Sequence, residues 1–144
     1  MDRLQSKQVL LIADANPENV SILKAMLAPD YDIKVAADGE EAIRLASPPD
    51  APGLILLSNM TPPADAHEVC RKLKADKTTE DIPIILLSEP TTEDTEAKGF
   101  ELGAADYITK PFKRSVVHAR IRTHLELKRY RDNLENRAKK QVSK

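Results

Sequence analysis

Four side chains with reactive groups stand directly after short apolar segments of the sequence. They are Asp14, Ser58, Ser88 and Lys110, and Ala15 follows the aspartate. A serine becomes a nucleophile when a nearby base, most often histidine, takes its proton. No histidine follows one of these segments, so a hydrolase built on Ser58 lacks its base. A single carboxylate is also a poor site for Mg²⁺, which needs several hard oxygen ligands.

The apolar segments predict five strands, and amphipathic stretches between them predict five helices. The predicted strands are 9–13, 33–35, 54–57, 82–87 and 105–109. Asn16 is the predicted cap of the first helix and Pro17 its first residue. The other predicted helices are 40–46, 68–75, 92–102 and 113–140. Strands that alternate with helices form a parallel sheet with helices on both faces. Function in such sheets lies at the carboxyl ends of the strands, where the four reactive side chains are expected to meet.

Several stretches of the chain, taken in order and spacing, resemble the receiver domain of two-component response regulators. The resemblance covers about residues 7–126. The stretches that carry it are LLIADANPEN (10–19), ADGEEA (37–42), LILLSNMTP (54–62), EVCRKLK (68–74), IPIILLS (82–88) and GAADYITKPF (103–112). It implies an α/β fold with a five-stranded parallel sheet in the doubly wound, flavodoxin or CheY-like order 2-1-3-4-5, followed here by an extended C-terminal helix.

The resemblance also implies a phosphoryl-transfer pocket, which this sequence matches only in part. In that family an aspartate accepts the phosphoryl group, an acidic pair holds Mg²⁺, and a lysine and a hydroxyl bind the phosphoryl oxygens. Here the acidic pair is Asp14-Ala15, and Ser58 stands at the acceptor position, whereas Ser88 and Lys110 match. We therefore expect a degenerate pocket in a pseudo-receiver, with no catalytic residue, no cofactor and at most a weak Mg²⁺ site at Asp14.

Other interpretations of the pocket residues stay open at this point. A phosphorylatable regulator would need a non-standard acceptor, and Asp14 is the only carboxylate at a predicted strand end. Lys110 is either a relic of phosphate binding or an ion-pair partner of Asp14, the simpler of the two. The resemblance implies a cis bond between Lys110 and Pro111, and it places Tyr107 at the aromatic switch position of the fifth strand.

The last helix predicts a second functional segment. Leu127, Tyr130 and Leu134 recur at heptad-like spacings, and neither Gly nor Pro interrupts the helical pattern as far as Lys144. A stripe of this kind needs a partner helix, so we expect dimer or connector contacts there. The expected domains are a receiver-like domain over 1–126 and a helical, coiled-coil-like connector over 127–144 that leads to an output domain absent from this sequence.

Composition and charge restrict the partners. Residues 113–144 carry eleven Lys and Arg against three Asp and Glu, while the preceding body is acidic. These cations alternate with acids as on a coiled-coil surface, and no DNA-recognition motif accompanies them, so nucleic acid is not an expected partner. The resemblance instead implies a histidine kinase or other signalling protein, an output domain of the diguanylate cyclase, phosphodiesterase or histidine kinase type, and a homodimer.

The compartment follows from the cysteine content and the polar start. One cysteine, Cys70, excludes a disulfide framework, and the first residues are too polar for a secretory signal. No apolar run is long enough to cross a membrane. The expected location is the cytoplasm.

Overall fold

The computed structural model describes residues 7–58, 65–88 and 93–142, with side-chain environments given for all of these except 93–96 and 136–142. Strands and helices alternate along the whole chain. The order is β1 (Val9–Ala13), α1 (Pro17–Leu27), β2 (Asp32–Ala36), α2 (Gly39–Ala46), β3 (Leu54–Ser58), α3 (Ala66–Ala75), β4 (Ile84–Ser88), α4 (Glu93–Glu101), β5 (Asp106–Thr109) and α5 (Arg114–Val142). Three parts of the sequence prediction lie outside the described residues. They are the expected start of α4 at Thr92, part of the motif over 54–62 and the end of the expected connector.

The five strands form one parallel sheet in the order β2-β1-β3-β4-β5. This confirms the fold predicted from the alternation of elements and from the resemblance. β3 is buried along its whole length, and β1 and β4 are buried at four of their five residues. Strands covered on both faces have nearly continuous apolar sequences, which is why these segments show no alternation.

The start of β4 differs from the sequence prediction for a physical reason. β4 begins at Ile84 instead of Ile82, because Pro83 has no N–H to give to the ladder. Its carbonyl still accepts a hydrogen bond from Ile55 N at 3.0 Å. Ser58 and Ser88 are the last residues of β3 and β4, so the sheet itself fixes their backbones.

Polar side chains cap the helices that leave the carboxyl edge of the sheet. Asn16 Oδ1 accepts hydrogen bonds from the backbone N–H groups of Glu18 (2.8 Å) and Asn19 (3.4 Å) at the start of α1. Asp65 Oδ1 accepts from Glu68 N at 2.8 Å at the start of α3. These bonds satisfy donors that a helix N-terminus leaves unpaired, and they fix where each helix begins.

The core consists of two apolar layers, one on each face of the sheet. One layer packs α2, α3 and Tyr107 against the sheet, and the other packs α1 and α5 against it. α5 contributes Val117 and Ile121, both fully buried, and the partly buried Leu125. These three residues share one helical face, so they anchor the first part of α5 to the body.

Candidate functional site at the carboxyl edge of the sheet

The strand register brings the predicted site residues to one edge. Ala13 pairs with Leu57, so Asp14 and Ser58 follow neighbouring paired positions. Ser88 pairs with Thr109, which precedes Lys110, and the Lys110 N–H donates to the Ser88 carbonyl at 2.9 Å. The sequence prediction therefore placed these residues at the right edge. Their detailed contacts differ from what was expected.

Asp14 is held by its own loop and by α1. Its side chain is buried, one carboxylate oxygen accepts the N–H of Asn16 at 2.9 Å, and the other accepts the amide Nδ2–H of Asn19 at 2.9 Å. Asn19 is itself buried. Both oxygens of this buried carboxylate therefore have a hydrogen-bond donor, as buried polar groups usually do. Ala15 supplies no side-chain ligand beside it.

The expected ion pair between Asp14 and Lys110 is not formed. In the described part of the chain the Asp14 carboxylate accepts hydrogen bonds from Asn16 and Asn19. The ion-pair interpretation of Lys110 is therefore not supported, because the amide of Asn19, one helical turn away, already bonds to the carboxylate. The bond between Lys110 and Pro111 is cis, as the resemblance implied.

The two serines at the edge are both buried at their hydroxyls. Ser58 is 5% exposed. Ser88 Oγ is inaccessible to solvent and has no hydrogen-bond partner among the described residues. An unsatisfied buried hydroxyl is costly, and such groups mark places where a ligand or water can bind. Ser88 therefore retains a buried hydroxyl at the position that the resemblance assigns to binding of a phosphoryl oxygen.

The donor set at this edge does not fit Mg²⁺. A near-octahedral site needs several carboxylate or carbonyl oxygens around the ion. Asp14 is the only carboxylate here among the described residues, and both of its oxygens already accept hydrogen bonds. Across the same described residues, no group of three or more His, Cys, Asp or Glu is arranged to hold a metal ion.

Tyr107 lies on β5 with its ring buried. The ring meets Phe100 of α4 edge to face, with centroids 5.3 Å apart, and Phe100 itself is 48% exposed. Gly99 makes room for the phenol, because a Cβ built there would lie 2.1 Å from Tyr107 Oη and 2.8 Å from Leu86 Cδ1. The inward position of Tyr107 therefore depends on the missing side chain of Gly99.

A charged cluster joins the start of β5 to α5. Arg120 Nη1 donates to both oxygens of Asp106 at 2.8 Å, and His124 Nε2 lies 3.1 Å from Asp106 Oδ2. Burial alone would raise the pKa of Asp106. The hydrogen bonds from Arg120, His124 and the Tyr107 N–H outweigh this effect and hold the pKa below its usual value. The cluster borders a groove of about 440 Å³ that Phe100, Tyr107 and Lys110 also line.

The predicted stripe on α5 is exposed. Leu127, Tyr130 and Leu134 are 57%, 68% and 51% exposed, which is unusual for large apolar side chains on one helical face. α5 runs without a break across the expected domain boundary between 126 and 127. Beyond the core, Arg131 Nη2 donates to the Asp81 carbonyl at 2.8 Å and so ties the helix to the loop before β4.

Comparison with known proteins identifies the family. The model of the response regulator receiver domain matches residues 10–122. This chain belongs to that family. A solved structure of a putative response regulator from Chloroflexus aurantiacus matches this receiver with a TM-score of 0.79 at 27% identity, covering 84% of this chain and 99% of the other. A receiver domain of a sensor histidine kinase from Pseudomonas aeruginosa, described with magnesium in its active-site cleft, matches with a TM-score of 0.76 at 27% identity, covering 84% and 99%.

Curated relatives of this receiver are longer proteins. A probable cyclic di-GMP phosphodiesterase of Vibrio cholerae is 37% identical over 133 residues, which cover 91% of this chain and 30% of that protein. The response regulator PleD of Caulobacter vibrioides is 37% identical over 129 residues, which cover 89% and 28%. The receiver thus spans less than a third of either relative. In its described part, none of its helices combines the length and apolar composition that crossing a bilayer requires.

Sequence reasoning missed three features of the site. Asn19 was read only as a helix residue, although an asparagine three positions after the cap Asn16 points back toward the loop. Gly99 gave no signal, because its role depends on Tyr107 from another element. The contact of the partly buried His124 with Asp106 had no signal in the sequence either. Only the first could have been found from local spacing.

Proposed function

We propose that this receiver is a pseudo-receiver, a regulatory interaction module that does not form an aspartyl phosphate. It passes signals onward through α5 to a downstream domain or a second copy. The observation that supports this most directly is the state of the edge: Ser58 ends β3, and Asp14 is fully hydrogen-bonded by Asn16 and Asn19. A serine hydroxyl cannot form an acyl phosphate, and the pocket lacks the charge to assemble Mg²⁺ around an incoming phosphoryl group.

The alternative acceptor, Asp14, is disfavoured by its geometry. A nucleophilic carboxylate oxygen needs a free lone pair and an open approach for in-line attack. Asp14 is 2% exposed, and both of its oxygens accept hydrogen bonds. Attack from this position would first require the buried carboxylate to become accessible to the incoming phosphoryl group.

Signals would then enter through contacts with a partner protein. Tyr107 and α4 form the element that we propose to switch, since the Tyr107 ring is packed inward beside the exposed Phe100. A partner that binds one orientation more tightly than the other shifts the balance between them. Histidine kinases or other signalling proteins are the proposed input partners. Nucleic acid and membranes are not, and we propose a cytoplasmic module with no enzymatic activity of its own.

The relatives of this receiver suggest the kind of output domain that we propose for it. The two named relatives are a phosphodiesterase and the regulator PleD, and each extends well beyond the matched receiver. We propose that the helical segment over 127–144 leads to a domain of the phosphodiesterase, diguanylate cyclase or histidine kinase type. In this arrangement the segment over 1–126 receives the signal, and α5 carries it.

The test is a titration followed by amide NMR, first with Mg²⁺ and then with beryllofluoride, a mimic of the phosphoryl group. We expect no saturable shifts at Asp14, Ser58, Ser88 or Lys110. The matched control is the double variant Ala15→Asp with Ser58→Asp, which restores two carboxylates at the same edge.

The control is expected to gain Mg²⁺-dependent shifts and to bind beryllofluoride, because it has the hard oxygens that the wild-type edge lacks. Saturable beryllofluoride shifts in the wild type, spreading from the edge to Tyr107, would overturn the proposal. A phosphoryl adduct that forms with a small-molecule donor and disappears in Asp14→Asn would establish the alternative acceptor instead.

A further inference from the structure

α5 is attached to the body in two different ways along its length. Its first part packs apolar side chains into the core, and Leu125 is the last of these among the described side chains. Further along, Lys128 is partly buried and pairs with Asp132 of the same helix at 2.9 Å. Arg131 donates to the Asp81 carbonyl at 2.8 Å. The described attachment of α5 after Leu125 is therefore polar, and such contacts are worth far less than a buried apolar layer.

A cleft of about 520 Å³ lies beside this polar attachment. Lys128, Gly53 and Asp81 are among the residues that line it. Arg131 is itself exposed, so water can reach the hydrogen bond that it makes. A contact of this kind opens locally, without unfolding of the core.

The loop that receives Arg131 is bonded to the end of α3. Thr79 is almost fully buried, and its hydroxyl donates to the Leu73 carbonyl at 2.6 Å. The N–H of Glu80 donates to the carbonyl of Asp76, the residue that follows α3, at 2.8 Å. Both bonds connect the loop directly to α3, so a shift of the end of α3 carries the loop with it.

Lys74 of α3 holds the same loop with its amine. Its Nζ donates to the carbonyls of Glu80 and Ile82, each at 2.8 Å. Burial lowers the pKa of Lys74, and the positive charge of Arg131 adds to this effect. The Asp81 carbonyl that Arg131 bonds stands between the two carbonyls that Lys74 bonds. Three successive carbonyls are thus held by one basic side chain from α3 and one from α5.

We propose that the loop over 79–82 is a latch through which α3 holds the later part of α5. The latch is closed in this structure, and it opens when Arg131 leaves the Asp81 carbonyl. α3 has its cap, Asp65, at the carboxyl edge of the sheet and its last turn at the latch. A partner or ligand that shifts α3 would therefore release α5 without acting on Tyr107.

Arg131→Ala tests the latch itself, by hydrogen exchange of the full chain in dilute solution, measured by mass spectrometry. We expect the amides of α5 over 128–135 to exchange about tenfold faster, because one charge-assisted hydrogen bond at an exposed site is lost. The matched control is Arg129→Ala, which removes another exposed arginine from the same helix and should leave these rates unchanged. Equal rates in the two variants would overturn the latch.

Lys74→Met tests whether α3 controls the latch. Methionine keeps an unbranched stem beside Gly103 but lacks the amine that holds the loop. We expect the amides over 128–135 to exchange several-fold faster, although the substitution lies in α3. Lys72→Met, at an exposed lysine of the same helix, is the matched control. Faster exchange in Lys74→Met that is confined to 79–82, with α5 unchanged, would overturn the coupling.

The double variant of Lys74→Met with Arg131→Ala separates one shared latch from two independent effects. A shared latch predicts that α5 exchanges in the double variant about as fast as in Arg131→Ala alone, whereas independent effects multiply. Exchange in β3 is the reference for global unfolding, because all of its residues are buried. Multiplied rates, or a rise in α5 that only parallels the rise in β3, would overturn the latch.

The outcomes separate this inference from the proposed function, on which it rests only in taking α5 as the output element. Unchanged α5 exchange in Arg131→Ala overturns the latch and leaves the proposal for the pocket intact. Saturable beryllofluoride binding at the carboxyl edge overturns the proposal for the pocket and leaves the latch intact.

Discussion

Replacing Gly99 by alanine should drive Tyr107 out of its buried position. The new Cβ would lie 2.1 Å from Tyr107 Oη and 2.9 Å from Cζ, far inside any ordinary contact. Leu86 Cδ1, at 2.8 Å, closes the other side of the space. α4 cannot shift to relieve the overlap without moving Phe100, which packs on the same ring. Rotation of Tyr107 toward solvent is therefore the least costly response.

The magnitude follows from two opposing effects on the free energy of unfolding. Loss of the buried ring of Tyr107 costs about 1.5–3 kcal/mol, and loss of its edge-to-face contact with Phe100 costs about 1 kcal/mol more. Alanine is the better helix former by about 1 kcal/mol, which offsets part of this cost. We expect Gly99→Ala to lower the free energy of unfolding by about 2 kcal/mol.

Urea unfolding and fluorotyrosine NMR together measure this effect. The chain has three tyrosines, so the Tyr107 signal can be assigned by comparison with Tyr107→Phe. In the background of Tyr107→Ala the clash with the phenol is gone and only the contact with Leu86 Cδ1 remains, so Gly99→Ala should then cost much less than it does in the wild type. An unchanged Tyr107 resonance, or a Gly99→Ala variant as stable as wild type, would refute the argument that Gly99 holds the ring inward.

Two further predictions concern the charged groups. Because the folded pKa of Asp106 is lowered, its stabilisation is present above about pH 4 and is lost as the pH falls through the folded pKa. In urea unfolding, Asp106→Asn should therefore remove most of this acid-dependent fall in the free energy of unfolding, and Arg120→Ala should reduce it. An unaltered pH profile in both variants would contradict the role assigned to Asp106. Asn19→Ala should lower the free energy of unfolding by about 2 kcal/mol, since the buried Asp14 loses a donor. Asn19→Asp should cost more at neutral pH, because two carboxylates would then face each other; equal stability of the two Asn19 variants would contradict it.

The sheet could be predicted from the sequence because its signals are local. Runs such as Val9–Ala13 and Leu54–Leu57 are long, apolar and bounded by turn residues, and the structure places strands over both. The start of β4 differs from the prediction, because Pro83 lacks the backbone N–H that would extend the strand. The cap at Asn16 was also visible in the sequence.

The position of the site could be predicted from the sequence, but the contacts among its residues could not. The edge was predictable, since parallel strands end together, and it holds Asp14, Ser58 and Ser88 as expected. Which group bonds to Asp14 was not predictable, because a lysine is the more obvious partner by charge, whereas the observed donor is the uncharged amide of Asn19. The contact between Asp106 and His124 joins residues 18 positions apart on different elements, so no local pattern reveals it.

α5 is attached to the body a second time, through Arg131, and a tilt of this long helix moves its far end. The helix has 29 residues, about 43 Å at the usual rise, and its body contacts lie in the first part. Arg131 on the Asp81 carbonyl adds a support beyond the core, at the end of the sheet remote from Tyr107. A tilt of about 10° at Leu125 would displace the end at Val142 by about 4 Å. A small change in side-chain packing between α5 and the body would therefore move the far end of the helix by about the length of one residue.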